Sequence, residues 1–177
     1  MAYAAYKALL EDAAKRLPRS CKVVFLADRG FADTQLMGYL KQLGWHFRIR
    51  IKSNFWVDRP GRTPLQAGRI GLAPGQARFW HTVWLTGQSF GPVHLAVARP
   101  LGPEEPWYVV SDEPTDVETL KAYGLRFAIE ENFLDDKSNG FQLESSWIRS
   151  AQGLERLCLV LAMTTLYLVS VGTSVVQ

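Results

Sequence analysis

The chain has 177 residues, of which 47% are apolar and 21% charged, and this composition excludes a wholly disordered protein. Its two cysteines are too few for a disulfide framework and favour a reducing compartment. The net charge of +3 conceals a division, because residues 1–103 carry +10 and residues 104–177 carry −7. A basic first part and an acidic last part suit a protein that holds a polyanion near carboxylates, although ordinary surface variation would give the same composition.

The first 52 residues follow a helix–strand–helix–strand pattern. Apolar residues at helical spacing predict a first helix that ends at Pro18. The apolar, β-branched run at residues 21–27 predicts a buried parallel strand, and residues 34–43 predict a second helix that Gly44 closes. The alternating stretch at residues 45–52 predicts another strand. This order is typical of an α/β layer.

Residues 53–106 break this pattern because they are rich in proline and glycine. Short strand-like stretches at residues 79–85 and 93–98 predict a small antiparallel β insertion with long loops. Trp107–Ser111 predicts one further strand before the chain turns helical again.

A third helix is predicted from about residue 116 to residue 137, with Thr115 or Asp116 as its N-cap and Asn139-Gly140 at its end. A last helix begins near Ser150 and continues into a strongly apolar tail. Residues 157–176 carry no charge, which is nominally enough to span a bilayer, but several threonines and serines dilute the apolar character.

Four side chains of the third helix share one face. At about 100° per residue they fall within an arc of about 60°. They are Tyr123, Arg126, Glu130 and Lys137. The simpler interpretation is a surface ion pair between Arg126 and Glu130, which would contribute about 0.2–0.5 kcal/mol.

Asp28 lies at the C-terminal end of the first predicted strand, where α/β sheets place functional side chains. A carboxylate there points into a crevice while the strand fixes its position. The alternative is that Asp28 only starts the turn that contains Gly30.

The spaced motif Tyr123, Arg126, Glu130, Lys137 resembles the signature of bacterial insertion-sequence DDE transposases. The subgroup is the one known for its Tyr-Arg-Glu-Lys motif, the insertion sequence four type. Three other stretches are similar to that family: LADRGF at residues 26–31, DDKSNGFQLE at 135–144 and LERLCLVLA at 154–162. The resemblance covers most of the chain except the insertion.

The resemblance implies an α/β chain with a partial ribonuclease-H-like fold that lacks its opening strands and carries a β-rich insertion. Residues 1–52 would be the first part of the core and residues 53–111 the insertion. Residues 112–177 would be the helical part of the core, with the Tyr-Arg-Glu-Lys helix. A core helix would occupy the apolar tail, so a membrane span is not favoured.

The resemblance also implies residue roles. Asp28 and Glu130 would be catalytic carboxylates that bind Mg²⁺ or Mn²⁺, since these ions prefer oxygen ligands and assist phosphodiester chemistry. Glu131 is a neighbouring acid, but the motif spacing favours Glu130. Tyr123, Arg126 and Lys137 would bind DNA phosphates at the transposon ends.

The family's first catalytic Asp would precede the opening helix, and neither Asp12 nor Asp33 is a plausible substitute. We therefore expect a truncated fragment of a transposase whose parent enzyme cleaves and joins DNA. The chain alone would be inactive, and its partners would be DNA and another transposase chain or a complementary fragment. The alternative is a non-catalytic DNA-binding remnant or a regulator of an intact transposase. Without a visible secretory signal, the expected location is the cytoplasm.

Other side chains have weaker interpretations. Trp80, Trp84 and Trp107 are candidates for stacking on a DNA base, although core packing is the simpler role. The insertion arginines would form a basic DNA track or a solvated loop; they are Arg59, Arg62, Arg69 and Arg78. Cys21 and Cys158 are predicted to be buried.

Overall fold

A computed structural model describes residues 4–86, 90–134 and 143–176 of the chain. The chain divides into two compact units, residues 1–126 and residues 127–177. The first unit contains a mixed α/β arrangement, and the second is helical.

The described residues contain five α-helices and seven strands. The helices are α1 (Ala4–Arg16), α2 (Thr34–Gln42), α3 (Val117–Gly124), α4 (Arg126–Leu134) and α5 (Ala151–Val176). The strands are β1 (Val24–Ala27), β2 (His46–Arg50), β3 (Trp56–Asp58), β4 (Leu65–Gln66), β5 (Ala77–Leu85), β6 (Phe90–Ala98) and β7 (Trp107–Ser111). Short 3₁₀ turns cover Arg29–Phe31, Ala67–Arg69 and Leu143–Ser146.

All seven strands belong to one sheet, in the order β1-β2-β7-β6-β5-β3-β4. Strands β1 and β2 are parallel, with Val24 opposite His46, and every other pairing is antiparallel. The predicted insertion therefore extends the same sheet: its long β5–β6 hairpin joins β7 on one side and β3 on the other. The α/β class is confirmed in this coarse form, as a mostly antiparallel sheet with helices.

The helix–strand–helix–strand opening of the chain is confirmed, but the burial predicted for its first strand is wrong, because β1 lies at the edge of the sheet and only its Ala27 is buried. The second helix shows why the sequence folds this way. The Asp33 carboxylate accepts a hydrogen bond from the backbone N–H of Gln35 at 2.7 Å, which caps α2. Leu36, Met37 and Leu40 are buried, and in the same core lie the side chains that alternate inward along β2. Beyond α2 the backbone of Gly44 adopts φ +71°, a conformation that glycine tolerates best.

The predicted single helix over residues 116–137 is wrong in one respect, because the structure divides it into α3 and α4. Asp116 does cap α3: its carboxylate accepts from the Thr119 backbone at 2.8 Å, and the Thr119 hydroxyl accepts from the Asp116 backbone. Gly124 then weakens the helix, and the Leu125 N–H bonds to Ala122, in the tighter 3₁₀ pattern. Tyr123 is therefore on α3, while Arg126 begins α4.

Two other expectations concern the helical tail and the cysteines. Helix α5 contains one stretch, Ala151–Val169, that is long and apolar enough to cross a membrane by length and composition alone. Cys21 and Cys158 are both exposed and unbonded to each other, so their predicted burial is wrong. Cys21 follows the turn after α1 and precedes β1, in an exposed segment outside the sheet.

Candidate functional site

The pairing of three strands brings three chain segments to one edge of the sheet. Because β1 and β2 are parallel, their C-terminal ends lie at the same edge, and antiparallel β7 begins there. Asp28 directly follows β1, Arg50 ends β2 and Trp107 begins β7. We call this the strand-end edge. Sequence segments up to 79 positions apart thus contribute side chains to one place.

Asp28 is half-buried and held by a short turn at the strand-end edge. Its Oδ1 atom accepts a hydrogen bond from the Gly30 N–H at 2.8 Å and caps the turn Arg29–Phe31. A Cβ atom at position 30 would lie only 3.1 Å from that oxygen, so glycine suits this close approach. Starting a turn and presenting a carboxylate at the strand end are therefore compatible roles for Asp28.

Tyr123 is completely buried on α3, against the strand-end edge. Its ring meets Trp107 edge to face, with ring centroids 5.5 Å apart. The phenol oxygen is buried and makes no hydrogen bond of standard geometry among the described residues, although the Arg126 side chain is close enough to lower its pKa. Burial raises the pKa of the phenol above its ordinary value, and the neighbouring positive charges of Arg126 and Arg50 act in the opposite direction.

Arg126 lies beside Tyr123, with its guanidinium carbon 5.8 Å from the centre of the phenol ring. The negative charge of Asp28 is also close enough to add to the rise in the Tyr123 pKa. Three of the predicted site residues, Asp28, Tyr123 and Arg126, are therefore neighbours in the structure. Arg50 joins them as a cation that sequence reasoning missed.

The alternation of apolar and polar residues along β2 is the sequence signal that could have identified Arg50 as a site residue. Phe47 and Ile49 are completely buried, whereas His46, Arg48 and Arg50 remain partly exposed and point to the opposite face. Arg50 is the last of these and so reaches the strand-end edge. Its Nη2 donates to the Pro106 carbonyl oxygen at 3.2 Å, which ties β2 to the segment before β7.

The two remaining members of the predicted motif are less fully described. Glu130 belongs to α4, one turn after Arg126, and its side chain lies outside the described part of the structure. Lys137, like the predicted helix end at Asn139-Gly140, lies outside the described residues altogether. The roles expected for Glu130 and Lys137 remain predictions.

The insertion holds a second group of cations. The Arg59 guanidinium stacks on the Trp80 ring at 3.8 Å. Burial lowers the pKa of Arg59, and the nearby charges of Arg62 and Arg78 lower it further. These three arginines therefore lie close together, whereas Trp80 already has a cation on its ring.

The family of the chain follows from its sequence as a whole. A family model for the transposase DDE domain matches residues 3–167. The chain belongs to the transposase DDE domain family. No curated protein matches it. Transposases act on DNA, and DDE domains in general use divalent metal ions, which agrees with the chemistry expected of Asp28.

The metal ligands are only partly accounted for in this DDE domain. Within residues 4–86, 90–134 and 143–176, no three histidine, cysteine or acidic side chains come close enough together to hold a metal ion. Asp28 contributes one oxygen-bearing group of the right chemistry, but one carboxylate does not make a divalent-ion site. The described residues therefore do not by themselves fit such an ion, and we derive no catalytic step from them.

The buried Tyr123 hydroxyl gives a direct test of whether this residue is structural. We expect Tyr123→Phe to leave the free energy of unfolding within about 0.5 kcal/mol of the wild type, because it removes a buried polar atom that has no described partner. The matched control is Tyr39→Phe, which removes a hydroxyl that donates to Glu11 at 3.2 Å and should cost about 0.5–1.5 kcal/mol. Urea unfolding measures both. A larger loss for Tyr123→Phe than for Tyr39→Phe would contradict the prediction.

Proposed function

We propose that this DDE domain is part of an insertion-sequence transposase of the Tyr-Arg-Glu-Lys subgroup, and that its strand-end edge contacts DNA during metal-dependent strand cleavage and transfer. The observation that carries the proposal is the clustering of Asp28, Arg50, Tyr123 and Arg126 at this edge in a chain of the DDE family. A carboxylate and two guanidiniums in one region of the sheet suit phosphodiester chemistry, since the carboxylate holds cations and the guanidiniums bind phosphate.

The proposed division of roles follows the chemistry of each group. Asp28 and Glu130 would supply two carboxylates to a site for Mg²⁺ or Mn²⁺. Arg126, Lys137 and the Tyr123 hydroxyl would hold DNA phosphates.

The charge distribution supports DNA as the partner. Residues 1–103 carry a net charge of +10, and the strand-end edge draws Arg29, Arg50 and Lys52 from that part of the chain. A surface of this sign attracts a polyanion and concentrates it near the protein. We therefore propose that the protein binds DNA in the cytoplasm and has no membrane role.

We also propose that residues 1–177, taken alone, do not cleave DNA. Two carboxylates in the positions that match the family's motif are fewer than the three that hold its metal ions. Another transposase chain or a complementary fragment would supply the third. The incomplete set of carboxylates also favours a second candidate function, that of a non-catalytic DNA-binding remnant or regulator. Such a protein needs the cations of the strand-end edge but no complete metal site.

Arg126→Gln tests the DNA contact. We expect it to weaken binding of a short labelled DNA duplex about tenfold at low salt, and to reduce the salt dependence of the affinity by about one phosphate contact. Lys41→Gln is the control, since it removes one exposed positive charge from α2. Fluorescence anisotropy at several salt concentrations measures both. Equal losses for the two variants would mean that Arg126 acts only through net charge.

A nicking assay tests the proposed inactivity. We expect purified residues 1–177 to leave supercoiled DNA intact in Mg²⁺ or Mn²⁺ while still retarding that DNA in a gel. Cleavage that requires the metal ion and disappears in Glu130→Gln would contradict the proposal and would show that the chain assembles a working site by itself.

A further inference from the structure

A pocket of about 480 Å³ opens at the strand-end edge, lined in part by Arg29, the residue after Asp28. Three separate segments line it: Arg29 follows β1, Arg50 and Lys52 lie at the end of β2, and Glu105 precedes β7. The pocket thus collects three cations and one carboxylate from segments that the strand pairing holds in place. None of these four residues belongs to the Tyr-Arg-Glu-Lys motif.

A single carboxylate oxygen occupies the position between the two guanidiniums. Glu105 Oε2 accepts from Arg29 Nη1 at 2.7 Å and from Arg50 Nη2 at 3.4 Å. The Glu105 side chain is 66% exposed, whereas that of Arg50 is only 15% exposed. The carboxylate therefore covers the pocket from the solvent side, and the Arg50 guanidinium lies deeper.

The cations of the pocket have more donor capacity than Glu105 uses. Arg50 Nε is buried and has no hydrogen-bond partner among the described residues. The Lys52 ammonium forms no ion pair with any residue in the described part of the chain. The four charged side chains together carry a net charge of +2. The pocket is therefore incompletely neutralised by Glu105.

We propose that this pocket binds a phosphate group of the DNA backbone, and that Glu105 occupies the phosphate position while the chain is free of DNA. The inference deepens the proposed function and rests on it. A phosphodiester group carries one negative charge and two unesterified oxygens, as a carboxylate does, but Glu105 offers only its Oε2 atom to both arginines. Each guanidinium then gains its own acceptor, in the geometry that arginine favours for phosphate.

Displacement of Glu105 is physically inexpensive. Water solvates both members of the exposed Arg29–Glu105 pair, so this pair contributes little to stability and separates readily, and the contact of Glu105 with the deeper Arg50 is long, at 3.4 Å. A DNA phosphate brings in addition the release of counterions condensed on the duplex. Glu105 therefore lowers the affinity of the strand-end edge for DNA, because each binding event has to remove it from the arginines.

Glu105→Gln tests the proposal in the purified chain, with Glu104→Gln as the matched control. Both variants remove one negative charge from neighbouring exposed positions, but only Glu105 contacts the two arginines. We expect Glu105→Gln to raise the affinity for a labelled duplex about three- to fivefold at low salt, and Glu104→Gln to give less than half of that gain. The salt dependence of the DNA affinity should steepen in Glu105→Gln. Without Glu105 the arginines bind anions from the buffer, and the duplex has to displace those anions.

A double variant tests whether the gain in DNA affinity arises in the pocket. In an Arg29→Gln background, which keeps an exposed polar side chain, the gain from Glu105→Gln should largely disappear. Equal gains for Glu105→Gln and Glu104→Gln, with DNA still bound by the wild type, would overturn this inference and leave the proposed function intact. Wild-type protein that does not bind DNA at any salt concentration would overturn both.

Competition with inorganic phosphate distinguishes a DNA phosphate from a free phosphate ion as the ligand of the pocket. We expect inorganic phosphate to compete with the duplex for Glu105→Gln more strongly than chloride does at equal ionic strength. If phosphate instead raises the melting temperature of Glu105→Gln while its DNA affinity stays at the wild-type value, the pocket serves a free anion, and the assignment to DNA fails.

Discussion

The parallel pairing of β1 with β2 is the constraint on which the rest of the site depends. Had β1 run antiparallel to β2, Asp28 would lie at the opposite end of the sheet from Arg50. The antiparallel pairing of β7 completes the arrangement, because it brings Glu105 and Trp107 to the same edge. Backbone hydrogen bonds of the sheet thus hold together side chains whose charges attract a polyanion.

The strand-end edge combines groups that are costly to desolvate with groups that stabilise the core. Tyr123 packs its ring on Trp107 and is completely buried, yet its hydroxyl has no partner among the described residues. Arg50 is mostly buried, and its Nε atom also has no hydrogen-bond partner among the described residues. Each unmet hydrogen bond reduces the stability of the fold. Arg50 lines the pocket of the strand-end edge, so an incoming phosphate there would supply acceptors to its guanidinium, whereas Tyr123 lies in the core beneath it.

The elements that sequence reasoning found are those with strong local signals. Helix α2 has the Asp33 cap and the Gly44 end, and the strand Trp107–Ser111 was predicted with the bounds that the structure has. Asp28 was placed correctly at the end of β1, because a strand end followed by glycine is a local pattern. The transposase DDE family was also evident, from motifs spread along the chain.

Features that depend on tertiary context were missed or mistaken. Helical periodicity continues through Gly124, so it could not show the tightened turn that separates α3 from α4. Arg50 looked like one residue of an alternating strand until the pairing of β2 with β7 placed it beside Glu105. The exposure of Cys21 depends on where the sheet begins, and a predicted strand over residues 21–27 set that start too early.

The central claim is that DNA binds at the strand-end edge. Hydrogen–deuterium exchange of the chain with and without a short DNA duplex tests it most directly, since it reports which backbone segments become protected. If DNA binds there, residues 28–31, 50–54 and 105–108 become protected and α1 exchanges as before. Protection confined to residues 56–98 or to α5, with these three segments exchanging as before, would contradict this claim.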